Sequence, residues 1–368
     1  AFGLLRINWE TLAWILLLVV GGLARFIMLD TRAMSHDESL HTLYSYYLYA
    51  NGNYDHNPMM HGPFRYHFTA LIYFLFGDND FTSRMGPALF GLGLMGVVCA
   101  YRRWIGRTGA LVAGVLVALS PTLLYHSRYI RDDIFMAFFT ALWIYAAFRY
   151  LERPALKWAF LMVTAMAIGF ATMENHFIHG AIIGAFFAGL AIYQVIGWWL
   201  WTMVAPLILG ATGWFWFHEQ KNDPVAFLVL GIAFLIAVVP LLLGGRGRWR
   251  EFQRRSGGDL AVIMLTMVLP FTASFLFMFT GGDVKIFENI VNYANPADQA
   301  IIIRLAVLVG VTLLLSLGIA WLWFARRRPD GSDGAFRLHF RHWALLMGFF
   351  WFVQVLFYTT FFTNTVQG

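Results

Sequence analysis

Asp37 and Glu38 stand side by side in the segment MSHDESLH, inside a long polar stretch between two apolar runs. A carboxylate held there can act as a general base that takes the proton from an attacking hydroxyl or amine. The pair also has a structural interpretation. Ser35 followed three residues later by Glu38 forms a capping box, and Asp37 lies where an acid stabilises the positive end of a helix dipole. The residues alone leave both interpretations open.

The segment NPMMHGPFRYH, later in the same stretch, places hydrogen-bond donors beside an ordered turn. Two prolines around Gly62 predict the turn, and His61, Arg65 and His67 supply the donors. The alternative is an interfacial loop whose polar residues anchor it at a membrane surface. Five histidines in this stretch also suggest a divalent metal ion, although no pair has the spacing of a recognised ligand motif. The metal ligands are therefore left unknown.

A third segment, YHSRYIRDDIF, packs two arginines and two aspartates into one short connection between apolar runs. Charges this close to hydrocarbon are costly unless they pair or bind a ligand. Arg128 or Arg131 would suit a phosphate, because the guanidinium fork matches that group. In the alternative, Asp132 or Asp133 caps the next helix and the arginines extend to the interface.

Glu174 and His176 form a fourth candidate, in the segment TMENHFIHG at another boundary of an apolar run. A charged residue at that depth is a candidate functional residue, and a local helix cap is the competing account. None of the four segments is decisive alone. Together they favour one site, because acidic and basic groups on the same side would surround a phosphate-bearing lipid.

Composition places these segments in a membrane protein. Hydrophobic residues make up 60% of the 368 and charged residues only 12%, against about 25% in soluble domains. The net charge of +6 does not indicate nucleic acid, since the basic residues fall in short clusters between apolar runs. Cys99 is the single cysteine, which excludes a disulfide framework within the chain.

The apolar runs predict an all-α, polytopic helical bundle. A spanning helix needs about 20 mostly apolar residues. We predict about eleven spans, near 12–29, 86–101, 109–125, 133–150, 156–173, 177–196, 200–217, 225–243, 260–280, 300–324 and 343–362. Amphipathic surface helices are predicted at 36–50 and 64–77 within the long loop 30–85, and the whole chain 1–368 is treated as one transmembrane domain.

The basic clusters predict the orientation. With this set of spans, the arginines and Lys157 that follow the second, fourth, eighth and tenth spans share one side with the amino terminus. The positive-inside rule makes that side cytoplasmic. The four candidate segments then lie on the opposite, extracytoplasmic side.

At these residues the chain resembles the GT-C superfamily of membrane glycosyltransferases, which includes protein O-mannosyltransferases and bacterial aminoarabinose transferases. It is similar in particular to a prokaryotic branch labelled flippase-activity-associated. The family has an acidic pair in its first extracytoplasmic loop, matched by Asp37-Glu38, and the resemblance makes Asp37 the catalytic base. His61-Gly62-Pro63 resembles the family's His-Pro-Pro element. The family segment Ser-Arg-Tyr-Ile-x-x-Asp is matched by Ser127, Arg128, Tyr129, Ile130 and Asp133.

The resemblance implies transfer of one sugar from a polyprenyl-phosphate carrier to an extracytoplasmic protein or lipid, in the cell membrane. Asp37, Glu38 and Asp133 would form the catalytic group. The donor would be held by Arg128, Arg131, His61, Glu174 and His176, and Arg128, with His61, would neutralise the phosphate that leaves.

Two departures favour a second hypothesis, a non-catalytic subunit of a larger membrane complex. Relatives often carry a phosphate-binding lysine after the fifth span, where this chain has Glu174. They also usually continue with further spans or a soluble domain, so we expect the carboxy-terminal part to be missing or shortened.

Overall fold

A computed structural model describes residues 8–52, 60–197, 201–220, 223–243, 255–279, 296–325 and 336–363. Within these ranges all regular secondary structure is helical, as the sequence predicts. The chain divides into two compact units. The first is Ala1–His179 with Ala344–Gly368, and the second is Gly180–Trp343.

The first unit contains every candidate site residue. Its helices, in chain order, are α1 (Trp9–Phe26), α2 (His36–Asn51), α3 (Phe64–Phe76), α4 (Asp80–Ala100), α5 (Arg102–Leu119), α6 (Pro121–His126), α7 (Asp133–Glu152) and α8 (Leu156–Phe170). Helix α9 (His176–Ile196) begins in this unit and continues into the second.

The second unit is built from apolar helices. They are α10 (Trp201–Glu219), α11 (Asp223–Leu243), α12 (Ser256–Val268), a 3₁₀ turn (Leu269–Thr272), α13 (Ala273–Phe279), α14 (Pro296–Ala320) and a π turn (Trp321–Ala325). The Trp323 indole donates to buried Asp259 at 2.8 Å, which fixes the π turn against α12. Helix α15 (Phe340–Tyr358) starts in this unit and returns to the first.

Six of the described helices are long and apolar enough to cross a membrane. They are Trp9–Phe26, Asp80–Ala100, Asp133–Glu152, His176–Val195, Gln299–Ala325 and Phe340–Tyr358. Shorter apolar helices occupy Leu156–Phe170, Val204–Phe217, Pro224–Ala237 and Ser256–Thr272. A polytopic membrane protein is therefore supported, while the number of eleven spans stays a prediction.

The third predicted span, 109–125, differs in the structure. Helix α5 starts at Arg102 and stops at Leu119, and α6 restarts at Pro121. Proline lacks the amide hydrogen and disfavours helical geometry in the residue before it, so the helix breaks at Ser120. The apolar run continues through this position, so hydropathy alone does not show the break. After the break, the chain continues through α6 to the candidate site.

Contacts between helix ends support the predicted grouping of arginines in the first unit. Arg102 pairs with Glu10 at 2.8 Å, and Arg103 pairs with Glu152 at 2.7 Å. The arginines after α4 therefore share one end with the start of α1 and the end of α7. Which membrane face this end meets stays a prediction.

The predicted helix at 36–50 is confirmed, together with its start and stop signals. Ser35 and Glu38 form both hydrogen bonds of the capping box, and Gly52 ends the helix with a left-handed φ of 64°. The helix predicted at 64–77 is also present, as α3. Unlike a freely exposed surface helix, α3 buries eight of its residues, from Phe64 to Tyr73, inside the first unit.

Candidate active site

Charged side chains from α2, from the end of α6 and from the connection into the start of α7 meet in what we call the outer cluster: Asp37, Arg131, Asp133 and His126. Arg131 lies between the two acids, with Nη1 3.6 Å from Asp37 Oδ2 and Nε 3.4 Å from Asp133 Oδ2. His126 Nδ1 is also 3.4 Å from Asp133 Oδ2. The Asp37 side chain is 51% exposed, and the side chains of Arg131 and Asp133 are each 39% exposed. A ligand can therefore reach all three.

Glu38, next to Asp37, has the opposite environment. It is completely buried and accepts two hydrogen bonds from Arg84 of α4, at 3.0 and 3.2 Å, and one from Arg32 at 2.7 Å. Arg84 also donates to the carbonyls of Leu29 and Arg32. Glu38 thus closes the cap of α2 and ties the helix to α4, which leaves Asp37 as the accessible acid of the pair.

The Ser127–Ile130 segment holds the first loop in place. Ser127 Oγ accepts from Arg25 Nε at 3.2 Å, and the Tyr129 hydroxyl lies 2.7 Å from Ser35 Oγ at the cap of α2. Ile130 is fully buried. The segment that carries the family resemblance therefore connects α1, α2 and α7. It thereby positions Asp37 opposite Arg131.

Arg128 contacts the end of α1 and not the acids. Its Nη1 donates to the carbonyls of Ala24, Arg25 and Ile27 at 2.8–3.1 Å, and its Nη2 donates to Met28 at 2.9 Å. The last carbonyls of a helix lack partners within the helix, and Arg128 satisfies them here. Of the two arginines predicted to bind phosphate, Arg131 is the one that faces Asp37.

Beneath the outer cluster lies a buried network, the inner network, formed by His41, Arg65, Tyr66 and Asp132. Arg65 Nε is 2.9 Å from Asp132 Oδ1, and Arg65 Nη2 is 2.8 Å from His41 Nδ1. The guanidinium carbon lies 4.1 Å from the centre of the Tyr66 ring. Arg65 and Asp132 are fully buried. Burial raises the pKa of the Asp132 carboxyl, against the opposing effect of Arg65 and His61.

The sequence did not single out His41 or the pairing of Arg65 with Asp132. One signal was present: His41 follows Asp37 by four residues, which places both on one face of α2. The match to the family segment selects Asp133 and leaves Asp132 as an additional acid. The structure gives the two acids different surroundings, since Asp132 pairs inward with Arg65 and Asp133 faces Arg131.

The turn at His61-Gly62-Pro63 packs directly on the end of α8. Gly62 N donates to Thr172 O at 3.0 Å, and Phe64 N donates to Ala171 O at 2.8 Å. A Cβ atom on Gly62 would lie 2.3 Å from the Ala171 carbonyl oxygen, so only glycine fits. The contact brings His61 Nδ1 within 3.0 Å of Glu174 Oε2.

Glu174 should control the protonation of His61. The hydrogen bond that His61 donates to Glu174 raises the pKa of His61, and burial opposes it. Because this pKa is raised in the folded state, its contribution to stability is fully present below the ordinary histidine pKa of about 6.5. The contribution is lost as the pH rises through the raised pKa.

We expect Glu174→Gln to lower the titration midpoint of His61, measured by NMR on protein with labelled histidine. The exposed acid change Asp78→Asn serves as the control, and an unchanged midpoint in Glu174→Gln would contradict the pairing.

His176 packs inside the helix bundle of the first unit. Its ring centre is 5.3 Å from those of Trp143 and Phe170, and a Cβ atom on Gly169 would collide with the ring. The imidazole is fully buried. Its ring contacts among the described residues are with apolar side chains and His179, so this packing gives no support for a contact with the donor.

A metal ion was left open by the sequence. Among the residues with described positions, no group of three or more His, Cys, Asp or Glu side chains is arranged to hold one. One of the five histidines in the first loop, His56, lies outside those residues.

Comparison with known proteins confirms the resemblance. Residues 60–217 match the sequence family described as dolichyl-phosphate-mannose-protein mannosyltransferase. No curated protein matches the chain. The match starts after Asp37 and Glu38, and it includes the turn at Gly62, the inner pair of Arg65 and Asp132, and the outer residues Arg131 and Asp133. The segment that builds most of the candidate site therefore matches a family of membrane glycosyltransferases of the GT-C type.

Proposed function

We propose that this protein transfers one sugar from a polyprenyl-phosphate carrier to an acceptor on the extracytoplasmic side of the membrane. The family match implies a membrane glycosyltransferase. The family description names a lipid-phosphate-linked mannose as donor and a protein as acceptor, and both suit a site in which reachable acids face a reachable arginine.

One observation carries this proposal: Arg131 lies between Asp37 and Asp133, and all three side chains are accessible. Asp37 takes the proton from the acceptor hydroxyl or amine as the new bond forms to the sugar. Arg131 neutralises the phosphate that leaves with the lipid, since a guanidinium fork matches phosphate oxygens. Asp133 orients Arg131. Glu38 acts indirectly, by holding the start of α2.

In this proposal, His61 also binds the phosphate. Its raised pKa, caused by the hydrogen bond that it donates to Glu174, favours the charged form of the imidazole. This arrangement assigns a positive role to the chain's departure from its relatives. A glutamate in place of the family's lysine supplies no cation itself, but it helps to keep one on His61.

The direct test uses the full chain, purified and reconstituted in lipid nanodiscs. Dolichyl-phosphate mannose carrying labelled mannose is supplied with a mixture of candidate acceptor proteins, and GDP-mannose replaces it in a control. We expect labelled product and released dolichyl phosphate from the lipid donor only. An intact lipid donor, together with partner proteins co-purifying in fixed ratio, would instead favour the non-catalytic subunit.

Arg131→Gln should weaken use of the lipid donor. Removing a charge-stabilising donor from an enzyme site typically costs about 10²-fold or more in rate. We therefore expect kcat/KM for the lipid donor to fall roughly 100-fold, measured as the initial rate of dolichyl phosphate release. The exposed Arg153, at the other end of α7, gives a matched control as Arg153→Gln. Equal rates in the two variants would remove Arg131 from the phosphate site.

A further inference from the structure

His41 lies directly below the proposed base on the same face of α2. It follows Asp37 by four residues, close to one helical turn. Its ring is almost entirely buried, with 6% of its surface exposed. Through Arg65, His41 is linked to Asp132, which stands between Arg131 and Asp133 of the outer cluster in the chain. The inner network that contains His41 therefore adjoins the outer cluster.

The inner network fixes which nitrogen of His41 carries the proton. Arg65 Nη2 is 2.8 Å from His41 Nδ1, and a guanidinium can only donate. Nδ1 must therefore accept, which leaves the proton on Nε2. Arg65 cannot turn away, because Asp132 holds its Nε at 2.9 Å and Tyr66 lies against its face.

The same surroundings keep His41 neutral. Burial, followed by the charges of Arg65, His61 and Arg131, lowers the pKa of His41 to about 2. The imidazole is thus an uncharged donor at any physiological pH. Its Nε2 makes no hydrogen bond to a described residue, and this nitrogen is not completely buried. The donor is therefore open to a ligand.

We propose that His41 recognises the sugar of the lipid-linked donor by giving its Nε2–H to a sugar hydroxyl oxygen. This inference rests on the proposed transferase function. A hydroxyl suits this donor better than a phosphate does, because an anionic oxygen is bound most strongly by charged groups such as Arg131. A fixed, neutral N–H beside the base instead reads the position of a neutral hydroxyl.

Two kinds of replacement separate this role from mere packing. His41→Phe keeps a ring but removes the N–H, and His41→Met is a second variant without a donor should the first fail to fold. His41→Gln keeps both functions, since its amide oxygen can accept from Arg65 and its NH₂ can donate. His36→Phe is the control, because His36 is exposed on the same helix.

The assay compares dolichyl-phosphate mannose with each single deoxy analogue of its mannose. We expect the wild-type protein to discriminate against one analogue by at least roughly 10-fold, and the variants without a donor to lose that discrimination. For the parent donor, kcat/KM should fall about 10- to 100-fold in those variants and recover substantially in His41→Gln.

The outcomes separate this inference from the proposed function. If Asp37→Asn stops transfer but the variants without a donor keep the wild-type pattern of discrimination, His41 does not read the sugar and only this inference fails. If the wild-type protein does not use the lipid-linked donor, the transferase function fails and the inference with it.

Discussion

Replacing Asp37 by asparagine should abolish sugar transfer and leave the fold intact. Asparagine has the same shape but cannot take a proton, and a positioned general base typically contributes about 10²- to 10⁴-fold to the rate. The helix should survive the change, because Ser35 and Glu38 form the cap of α2 and Asp37 takes no part in those hydrogen bonds. Its partner Arg131 is 39% exposed, so the guanidinium remains solvated after the change.

The measurement is the initial rate of transfer from dolichyl-phosphate mannose in nanodiscs, with thermal unfolding of the same preparations as the test of folding. Asp30→Asn is the matched control, since Asp30 is an exposed acid at the start of the same loop. We expect full activity in Asp30→Asn. Transfer by Asp37→Asn at the wild-type rate would exclude Asp37 as the base.

Glu38→Ala should cause a large loss of stability. The change leaves Arg84 as a buried charge without its carboxylate, which typically costs about 3–5 kcal/mol. It also removes half of the capping box of α2. We expect a large fall in the midpoint of thermal unfolding of the purified protein, accompanied by a poor yield of folded material.

Neighbouring variants distinguish this structural role from a chemical one. Asp37→Ala changes the adjacent, exposed acid and should leave the unfolding temperature almost unchanged. Glu38→Gln keeps the shape and some hydrogen bonds to Arg84, so its loss of stability should be intermediate. A Glu38→Ala protein that is as stable as the wild type but inactive would show that Glu38 acts in the reaction itself.

Local signals in the sequence were sufficient to predict the first-loop helix. The cap at Ser35, the acid at Glu38 and the stop at Gly52 each act within a few residues, so the correct helix could be read without knowledge of the packing. The turn at Gly62 was predicted for the same reason. Its contact with Ala171 was not predictable, because that residue lies more than one hundred positions later in the chain.

Pairing between distant charges could not be predicted in the same way. By residue type alone, either Arg128 or Arg131 suits a phosphate, and the sequence-based prediction gave the leaving phosphate to Arg128 with His61, whereas the structure places Arg128 on backbone carbonyls. The difference arises from the break at Pro121 and the end of α1, which together put Arg128 on backbone carbonyls. Likewise, Asp132 and Asp133 are adjacent in sequence, and only the packing of α3 against α7 gives Arg65 to the first of them.

The touching backbones at Gly62 and Ala171 also determine which features of this site can vary. No side chain larger than hydrogen fits at position 62, so the distance between the turn and the end of α8 is set by the main chain. The Glu174 side chain is 57% exposed and pairs with His61, so its replacement leaves that main-chain contact in place. Glu174→Lys would restore the residue of the relatives. It would reverse the charge beside His61 without moving the backbone contact between Gly62 and Ala171. A single substitution can therefore change the electrostatic potential at the donor site while the backbone geometry of the site stays the same.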